Sequence, residues 1–437
     1  MRHWIDHVSL LAGWLPSTVF LVGVLALAFL LVRRSWRWWV FNLLAAGAGA
    51  GLTVLLGWAV IHVWYVWPED LPAEVLVWVG VAVWAVLLAG GTVVVRATLR
   101  HRLGAPVAAA LVVALAASQV NAYFGALTNL GDLIHGPPTV TAGISRFLAK
   151  KPGADPFRVA PVSRSWHAPA QMAHNGTLRQ VVIPGTVSGF HARKALVYFP
   201  PAYLLAHRPA LPVLVLISGQ PGGPSDWLTS ADLPQALDAF AAAHHGLAPV
   251  VIMPDPNGAN AGNTMCMDSR LARADTYLSV DVPHWITSTL AVDRNTEHWA
   301  VGGFSFGGTC AVQMSTRHPH LYPTFAAMSP EREPALTANR QRTIALAFNG
   351  NSAAFNAELP LTLLANHKYP GVRGWFSAGE SDHVYTDNVH VLHAAAQKAG
   401  MRTTVTAVPG GHSWLMITQT LPLALNFLAK PLGLTSQ

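Results

Sequence analysis

Apolar residues are distributed unevenly along the 437-residue chain. In the first third, four long stretches are apolar throughout, apart from Glu74 near the start of the third. Each is near or above the roughly 20 residues that a helix needs to cross a bilayer, and tryptophans cluster at several of their ends, as is typical of a headgroup interface. The pattern predicts a four-helix transmembrane region over residues 1–130, with spans at Leu15–Val32, Trp39–Trp64, Ala73–Val95 and Ala105–Leu127.

The charges between these stretches predict their orientation. The first and third connections carry three arginines each, whereas the second, around Glu69 and Asp70, carries no lysine or arginine. Because basic loops stay in the cytoplasm, the remainder of the chain is expected to be extracytoplasmic, and the protein a multi-pass protein of the cell membrane. The arginines concerned are Arg33, Arg34, Arg37, Arg96, Arg100 and Arg102.

Residues 131–173 are predicted to be an extracytoplasmic linker, since Gly136-Pro137-Pro138 interrupts the pattern. Within it, Thr141–Lys151 is predicted to form a short surface helix. Its two terminal lysines, Lys150 and Lys151, either contact lipid headgroups or are simply solvated. Both interpretations stay open from the sequence.

Residues 174–437 alternate short apolar runs with longer amphipathic ones, which predicts one α/β domain with a mostly parallel sheet flanked by helices. The strand-like runs are Leu178–Ile183, Ala195–Phe199, Val213–Ile217, Val250–Met253, Trp299–Val301, Thr324–Met328, Gly374–Ser377 and Thr404–Val408. The helix-like runs are Leu233–His244, Ala274–Leu290, Thr309–His318 and Val389–Ala399.

Composition narrows the classes of function. The chain is 52% hydrophobic and only 11% charged, against about 25% charged residues in ordinary soluble domains. Its net charge of +7 comes from dispersed arginines and juxtamembrane segments, so no nucleic acid partner is expected. The chain has no nucleotide-binding glycine fingerprint, and no cofactor is expected. Cys266 and Cys310 either form a disulfide or remain two buried thiols.

One motif predicts chemistry. Gly303-Phe304-Ser305-Phe306-Gly307 follows a strand-like run and precedes a helix-like one, which is the setting of a nucleophile elbow. Gly379-Glu380-Ser381-Asp382 and then Gly410-Gly411-His412 follow it. This order of serine, acid and histidine is the chain order of the catalytic residues in an α/β-hydrolase.

The roles follow from the chemistry of acyl transfer. Ser305 is the predicted nucleophile and His412 the base that takes its proton. Asp382 is the preferred acid, with Glu380 as the alternative and Asp387 behind both. Asp382, His383, His390 and His393 could in principle form a metal site instead, but their spacing matches no standard zinc pattern, and no metal is expected.

The remaining site residues surround the serine. The backbone amides of Phe306 and Gln220 are predicted to form the oxyanion hole, since Pro221 has no N–H to offer. Gly219, Asp226, Trp227 and Trp414 are predicted to bind substrate, with Asp226 and Trp227 at the mouth of the pocket and simple packing as the alternative for Trp227.

These motifs together resemble the esterase D-like family of α/β-hydrolases, which includes feruloyl esterases, enterobactin esterases and the mycolyltransferases of actinobacterial envelopes. The resemblance covers roughly residues 178–430 and rests on Leu216–Gly219 with Asp226-Trp227, on Gly303–Gly308, on Gly379 with Asp382, and on Gly411–Trp414. It implies serine ester chemistry by Ser305, His412 and Asp382. Ser218 stands where many members have histidine. Together with the apolar spans, the chain is similar to membrane-anchored esterases of actinobacteria.

Three functions follow as hypotheses. The first is an esterase that cleaves an acyl ester of an envelope lipid or glycolipid, and the second is an acyltransferase that passes the acyl group to a sugar hydroxyl. The third is a non-catalytic binding module on a membrane scaffold, which an intact serine, acid and histidine set disfavours. A transporter is disfavoured too, and Gln119 and Asn121 in the last span are predicted to form hydrogen bonds between helices.

Overall fold

The computed structural model describes residues 2–435, apart from residues 34, 66, 68, 69, 95–97, 139 and 149–161. The chain forms two compact units, residues 1–136 and residues 137–437. The first unit is helical. Its helices are α1 (Arg2–Ile5), α2 (Trp14–Leu31), α3 (Trp36–His62), α4 (Ala73–Val94), α5 (Leu99–Phe124) and α6 (Leu130–His135).

Helices α2 to α5 are long and apolar enough to cross a bilayer. Small residues let them approach closely: a Cβ on Gly23 of α2 would lie 2.6 Å from the Cβ of Leu115 on α5. Large apolar side chains cover the outside of the bundle, among them Leu43, Leu44 and Val54, all more than two-thirds exposed. Arg100 and Arg102 lie in the first turn of α5 rather than in the connection before it.

The second unit is built on an eight-stranded sheet with the order β1-β2-β4-β3-β5-β6-β7-β8. Its strands are β1 (Thr177–Val181), β2 (Ala195–Phe199), β3 (Val213–Ile217), β4 (Val250–Met253), β5 (Trp299–Phe304), β6 (Thr324–Met328), β7 (Arg373–Gly379) and β8 (Arg402–Val408). Strands β1 and β2 pair antiparallel, as do β2 and β4, and all other pairs are parallel.

Helices surround this sheet. They are α7 (Asp226–Thr229), α8 (Leu233–Ala243), α9 (Ala274–Thr276), α10 (Val282–Thr289), α11 (Phe306–Arg317), α12 (Arg340–Phe348), α13 (Ser352–Ala357), α14 (Pro360–Asn366), α15 (His383–Lys398) and α16 (Trp414–Ala429). Strands β2, β3, β5 and β6 are buried along their whole length, which explains their continuous apolar sequences.

The strand order places the functional edge of the sheet. Strand β4 lies on one side of β3 and β5 lies on the other, so the order reverses direction at β3. In open α/β sheets, ligands bind beyond the carboxyl ends of the strands at this switch point. A functional site is therefore expected at the loop after β3 and at the residue after β5.

In the second unit, four predicted elements differ from the structure by an interruption or by three residues or more. The predicted helix Ala274–Leu290 is interrupted, because a π-helical turn at Tyr277–Asp281 separates α9 from α10 just before Pro283, whose missing N–H cannot continue a helical ladder. Strand β5 continues to Phe304, where the predicted strand ended at Val301. Helices α11 and α15 begin three and six residues before their predicted starts.

The segment predicted to hold a surface helix is organised differently. Among its described residues, 141–148, only a 3-10 turn at Ser145–Phe147 is helical. The Phe147 ring is buried and stacks on Phe199 of β2 at a centroid distance of 4.6 Å. Burial of this ring holds the segment against the sheet, so the described part is not a solvated helix. Lys150 and Lys151 lie outside the described residues.

Candidate active site

Ser305 sits on a sharp turn between β5 and α11. Its backbone has φ 56° and ψ −119°, a conformation that side-chain-bearing residues rarely adopt. The turn needs glycine on both sides: a Cβ on Gly303 would lie 2.5 Å from the Ile217 carbonyl oxygen, and one on Gly307 only 2.0 Å away. The Ser305 N–H donates to the Met328 carbonyl at 2.8 Å. Sequence and packing together hold the serine at the carboxyl edge of the sheet.

His412 and Asp382 complete a hydrogen-bonded chain with this serine. His412 lies in the loop between β8 and α16, and its Nε2 is 2.9 Å from Ser305 Oγ. Its Nδ1 is 3.0 Å from Asp382 Oδ2. The Asp382 and His412 side chains are only 9% and 12% exposed, so water screens their interaction weakly. With Nδ1 protonated, Nε2 is free to accept the serine proton.

The other carboxylates considered from the sequence lie elsewhere. Glu380 is exposed, and Asp387 is 69% exposed and paired with Arg332. Asp382 instead caps the N-terminus of α15, where its Oδ1 accepts the N–H of Tyr385 at 3.3 Å. This bond turns the carboxylate back toward His412. Of the three acids, the structure brings Asp382 to the histidine.

Two aromatic rings hold the His412 imidazole, and sequence reasoning missed both. Tyr385 stacks on one side at a centroid distance of 3.9 Å, with an angle of 27° between the rings. Phe304 lies at 4.8 Å with an angle of 32°. Contacts of this kind limit rotation of the imidazole. The one sequence feature that could have indicated Tyr385 is its position one helical turn after Asp382.

The loop after β3 runs beside the serine. A Cβ on Gly219 would lie 3.6 Å from the Ser305 Cβ, so this glycine borders the reacting group. Gln220 follows it, joined to Pro221 by a cis peptide bond. Phe306 provides the first N–H of α11, which has no acceptor within its own helix. The two predicted oxyanion residues thus directly follow Gly219 and Ser305 in the chain.

Asp226, Trp227 and Trp414, which were predicted to bind substrate, make contacts within the fold. Asp226 Oδ2 accepts the Gly223 N–H at 2.8 Å, and burial raises the pKa of this carboxyl above its usual range. Trp227 has no exposed surface and packs edge-on against Trp414 at 5.3 Å. Trp414 in turn lies 5.0 Å from Phe304. Trp227 thus supports the site from behind and does not lie at the pocket mouth, the place predicted for it.

An ion pair that sequence reasoning missed supports the loop after β3. The Arg193 guanidinium binds Asp255 through two nitrogens, at 2.8 and 2.9 Å, and its Nη2 also donates to the Gly222 carbonyl at 2.7 Å. Asp255 is 1% exposed and lies two residues beyond the buried end of β4. The one sequence feature that could have revealed this pair is the Asp255 carboxylate soon after a strand-like run. The pair fixes the loop that carries Gly219 and Gln220.

Cys266 and Cys310 form a disulfide, which answers the question the sequence left open. It joins the loop after β4 to the first turns of α11, the helix that begins immediately after Ser305. No group of three or more metal-ligating side chains is close enough to hold an ion in the part of the chain that the structure describes. His393, one of the residues considered as a ligand, bonds Thr403 Oγ1 at 2.8 Å.

Comparison with known proteins identifies the family. The family model described as "Putative esterase" matches residues 190–428, more than half of the chain. The chain belongs to this esterase family. An uncharacterized protein of Corynebacterium glutamicum is 33% identical over 99% of this chain and the whole of that protein, so the likeness includes the apolar N-terminal region.

Solved structures share the fold of the second unit. A ferulic acid esterase superposes with a TM-score of 0.52 at 17% identity, over 59% of this chain and 98% of that protein. An S-formylglutathione hydrolase from Agrobacterium tumefaciens superposes with a TM-score of 0.50 at 16% identity, over 60% of this chain and 97% of that protein. The predicted α/β-hydrolase fold and the resemblance to esterase D-like proteins are confirmed, and the esterase is a serine hydrolase.

Proposed function

We propose that this esterase is anchored in the cell membrane, faces outward, and cleaves an acyl ester of an envelope lipid or glycolipid. The observation that carries the proposal is the unbroken hydrogen-bonded chain from Ser305 through His412 to Asp382. Its members come from three separate loops at one edge of the sheet. Such an arrangement fits a nucleophile, a base and an orienting acid.

The first half-reaction uses all three side chains. Ser305 Oγ attacks the ester carbonyl carbon while its proton passes to His412 Nε2, and the Asp382 carboxylate stabilises the imidazolium that forms. The N–H groups of Phe306 and Gln220 bind the negative oxygen of the tetrahedral intermediate. Collapse of this intermediate breaks the bond to the alcohol, which takes the proton from His412 and leaves an acyl group on Ser305.

The second half-reaction repeats the steps with water. His412 removes a proton from water, the hydroxide attacks the acyl carbonyl, and the proton returns to Ser305 Oγ as the carboxylic acid leaves. A sugar hydroxyl in place of water would make the protein an acyltransferase. Since both reactions share the acyl-enzyme, only the second product distinguishes them.

Membrane anchoring is supported by independent features. Four helices are long and apolar enough to span a bilayer, and their outward surface is apolar. The disulfide suits an oxidising compartment, in agreement with the orientation predicted from the loop charges. A tether of this kind raises the effective concentration of a lipid substrate at the site.

The test is fluorophosphonate labelling and p-nitrophenyl ester hydrolysis by the full chain in detergent micelles. Wild type should label and turn over, whereas Ser305→Ala and His412→Ala should lose both activities. Ser381→Ala, which changes an exposed serine beside the acid, is the matched control and should behave as wild type. A folded wild-type chain that neither labels nor hydrolyses any ester would refute the proposal and favour a binding module.

Product analysis then separates hydrolase from transferase. The acyl-enzyme is formed from a p-nitrophenyl ester in the presence of a free sugar, and the products are resolved by mass spectrometry. Free carboxylic acid as the main product supports the esterase. A sugar ester formed in excess over the acid would show that the protein is a transferase and not an esterase.

A further inference from the structure

The helical unit contains a polar cavity that the proposed chemistry does not use. It measures about 420 Å³ and lies between the first turns of α4 and the last turns of α5. Glu74 and Trp78 line it from α4, and Gln119 and Tyr123 line it from α5. Each pair is four residues apart, a spacing that puts both members on one face of their helix. The two helices thus direct polar side chains into one space.

Gln119 is the informative member of this group. Among the residues that the structure describes, its amide has no hydrogen-bond partner. Asn121, two residues on, is satisfied within its own segment, by the N–H and the carbonyl of Leu127 at 2.8 and 2.9 Å. The prediction that both residues bond between helices is therefore wrong. Gln119 is half-buried in the last two turns of α5, so its amide is available to a polar group that enters the cavity.

The lining indicates the class of ligand. A carboxylate accepts hydrogen bonds, an amide both donates and accepts them, and an indole ring offers a flat apolar face. A sugar presents the matching surface, with hydroxyl groups at its edge and C–H groups on its faces. Lys and Arg are absent from the described lining, and the Glu74 carboxylate would repel an anionic headgroup.

The level of the cavity in the bundle agrees with a lipid headgroup. It lies at the end of α4 that begins at Ala73 and the end of α5 that finishes at Phe124. On the orientation predicted from the arginines, this end faces outward, where tryptophan and tyrosine side chains meet lipid headgroups. We infer that this cavity binds the uncharged sugar headgroup of a membrane glycolipid and so retains that lipid on the chain that carries the esterase. The inference rests on the membrane placement in the proposed function.

The test uses the full chain in lipid nanodiscs made of phosphatidylglycerol with a minor fraction of glucosyl diacylglycerol. Lipid retained by the protein after release from the discs is measured by native mass spectrometry, with diacylglycerol lacking the sugar as the reference lipid. Wild type should retain the glucosyl lipid selectively. Gln119→Leu should reduce that selectivity about five- to tenfold, the loss expected for one or two hydrogen bonds. Ser118→Ala, at the neighbouring position outside the cavity lining, should retain it fully.

A second variant and a second readout keep the outcomes apart. Trp78→Leu should also reduce retention, and size-exclusion profiles establish that each variant is folded. Equal retention of the two lipids by wild type, selective retention of phosphatidylglycerol, or unchanged retention in Gln119→Leu would each overturn the inference. Fluorophosphonate labelling of the same samples reports on Ser305 alone. Selective glycolipid retention without labelling would therefore remove the esterase proposal and leave this one standing.

Discussion

Replacing Asp382 with asparagine tests the site at its most informative point. The carboxylate is 9% exposed and lies 3.0 Å from the His412 ring nitrogen, and the imidazole becomes positively charged in the transition state. At a separation of roughly 4 Å between charge centres and an effective dielectric constant of about 20, the attraction is worth ~4 kcal/mol. Its loss alone slows the reaction about 10³-fold, and loss of the correct imidazole tautomer adds to this. We expect Asp382→Asn to lower kcat by about 10³- to 10⁴-fold.

The matched control is Glu380→Gln, because both residues belong to one loop and only one of them reaches the histidine. Glu380 is exposed, so its neutralisation should change kcat by less than about twofold. Burst-phase hydrolysis of p-nitrophenyl acetate by the full chain measures acylation, and thermal unfolding checks that both variants are folded. A Glu380→Gln variant as impaired as Asp382→Asn, or an Asp382→Asn variant with a tenth or more of wild-type kcat, would refute the assignment.

Three further changes have definite expected outcomes. Gly307→Ala forces a Cβ to within 2.0 Å of the Ile217 carbonyl oxygen. This clash should lower the free energy of unfolding by about 1–3 kcal/mol or more and abolish fluorophosphonate labelling of Ser305. Gly371→Ala, which meets no atom within 4 Å, should do neither, and equal Tm values for the two would contradict this. Replacing Cys266 and Cys310 together by serine opens a loop of 44 residues and should lower the free energy of unfolding by about 4 kcal/mol. Denaturant unfolding measures this change, and no loss would show that the disulfide is not stabilising. A hydrogen bond to the neighbouring carboxylate raises the pKa of His298. The stability that this bond contributes is therefore full below about pH 6.5 and is lost as the pH rises through the folded pKa. His298→Asn should lower Tm more at acidic than at alkaline pH, and the reverse order would contradict this reasoning.

The main features of the site could be predicted because each has a local cause. Ser305 lies between glycines that a strand-to-helix turn requires, and Asp382 and His412 follow strands that are apolar enough to recognise. The sequence favoured Asp382 but left Glu380 open as the alternative acid. The geometry depends on Asp382 capping α15, and this cap was not recognised because the predicted helix began only at Val389.

Other parts of the site depend on packing between distant segments. Arg193 and Asp255 are 62 residues apart and meet because β2 and β4 are neighbours in the sheet. Phe147 looked like part of a linker, yet its ring fills a space over β2 that exists only in the folded sheet. Trp227 looked like a pocket residue, since its position after the oxyanion loop does not reveal that it is fully buried. Such contacts follow from the three-dimensional arrangement and leave little trace in local sequence.

The disulfide also has a consequence for the order in which the enzyme is made. Both of its cysteines precede Asp382 and His412 in the chain, by 72 residues or more in the case of Cys310. In the proposed topology the segment around Ser305 crosses the membrane first, and its helix can be linked covalently to the loop before the acid and the base have been synthesised. The nascent protein then carries a correctly held serine without a base to activate it. Hydrolytic activity would begin only when the last strand and helix have docked.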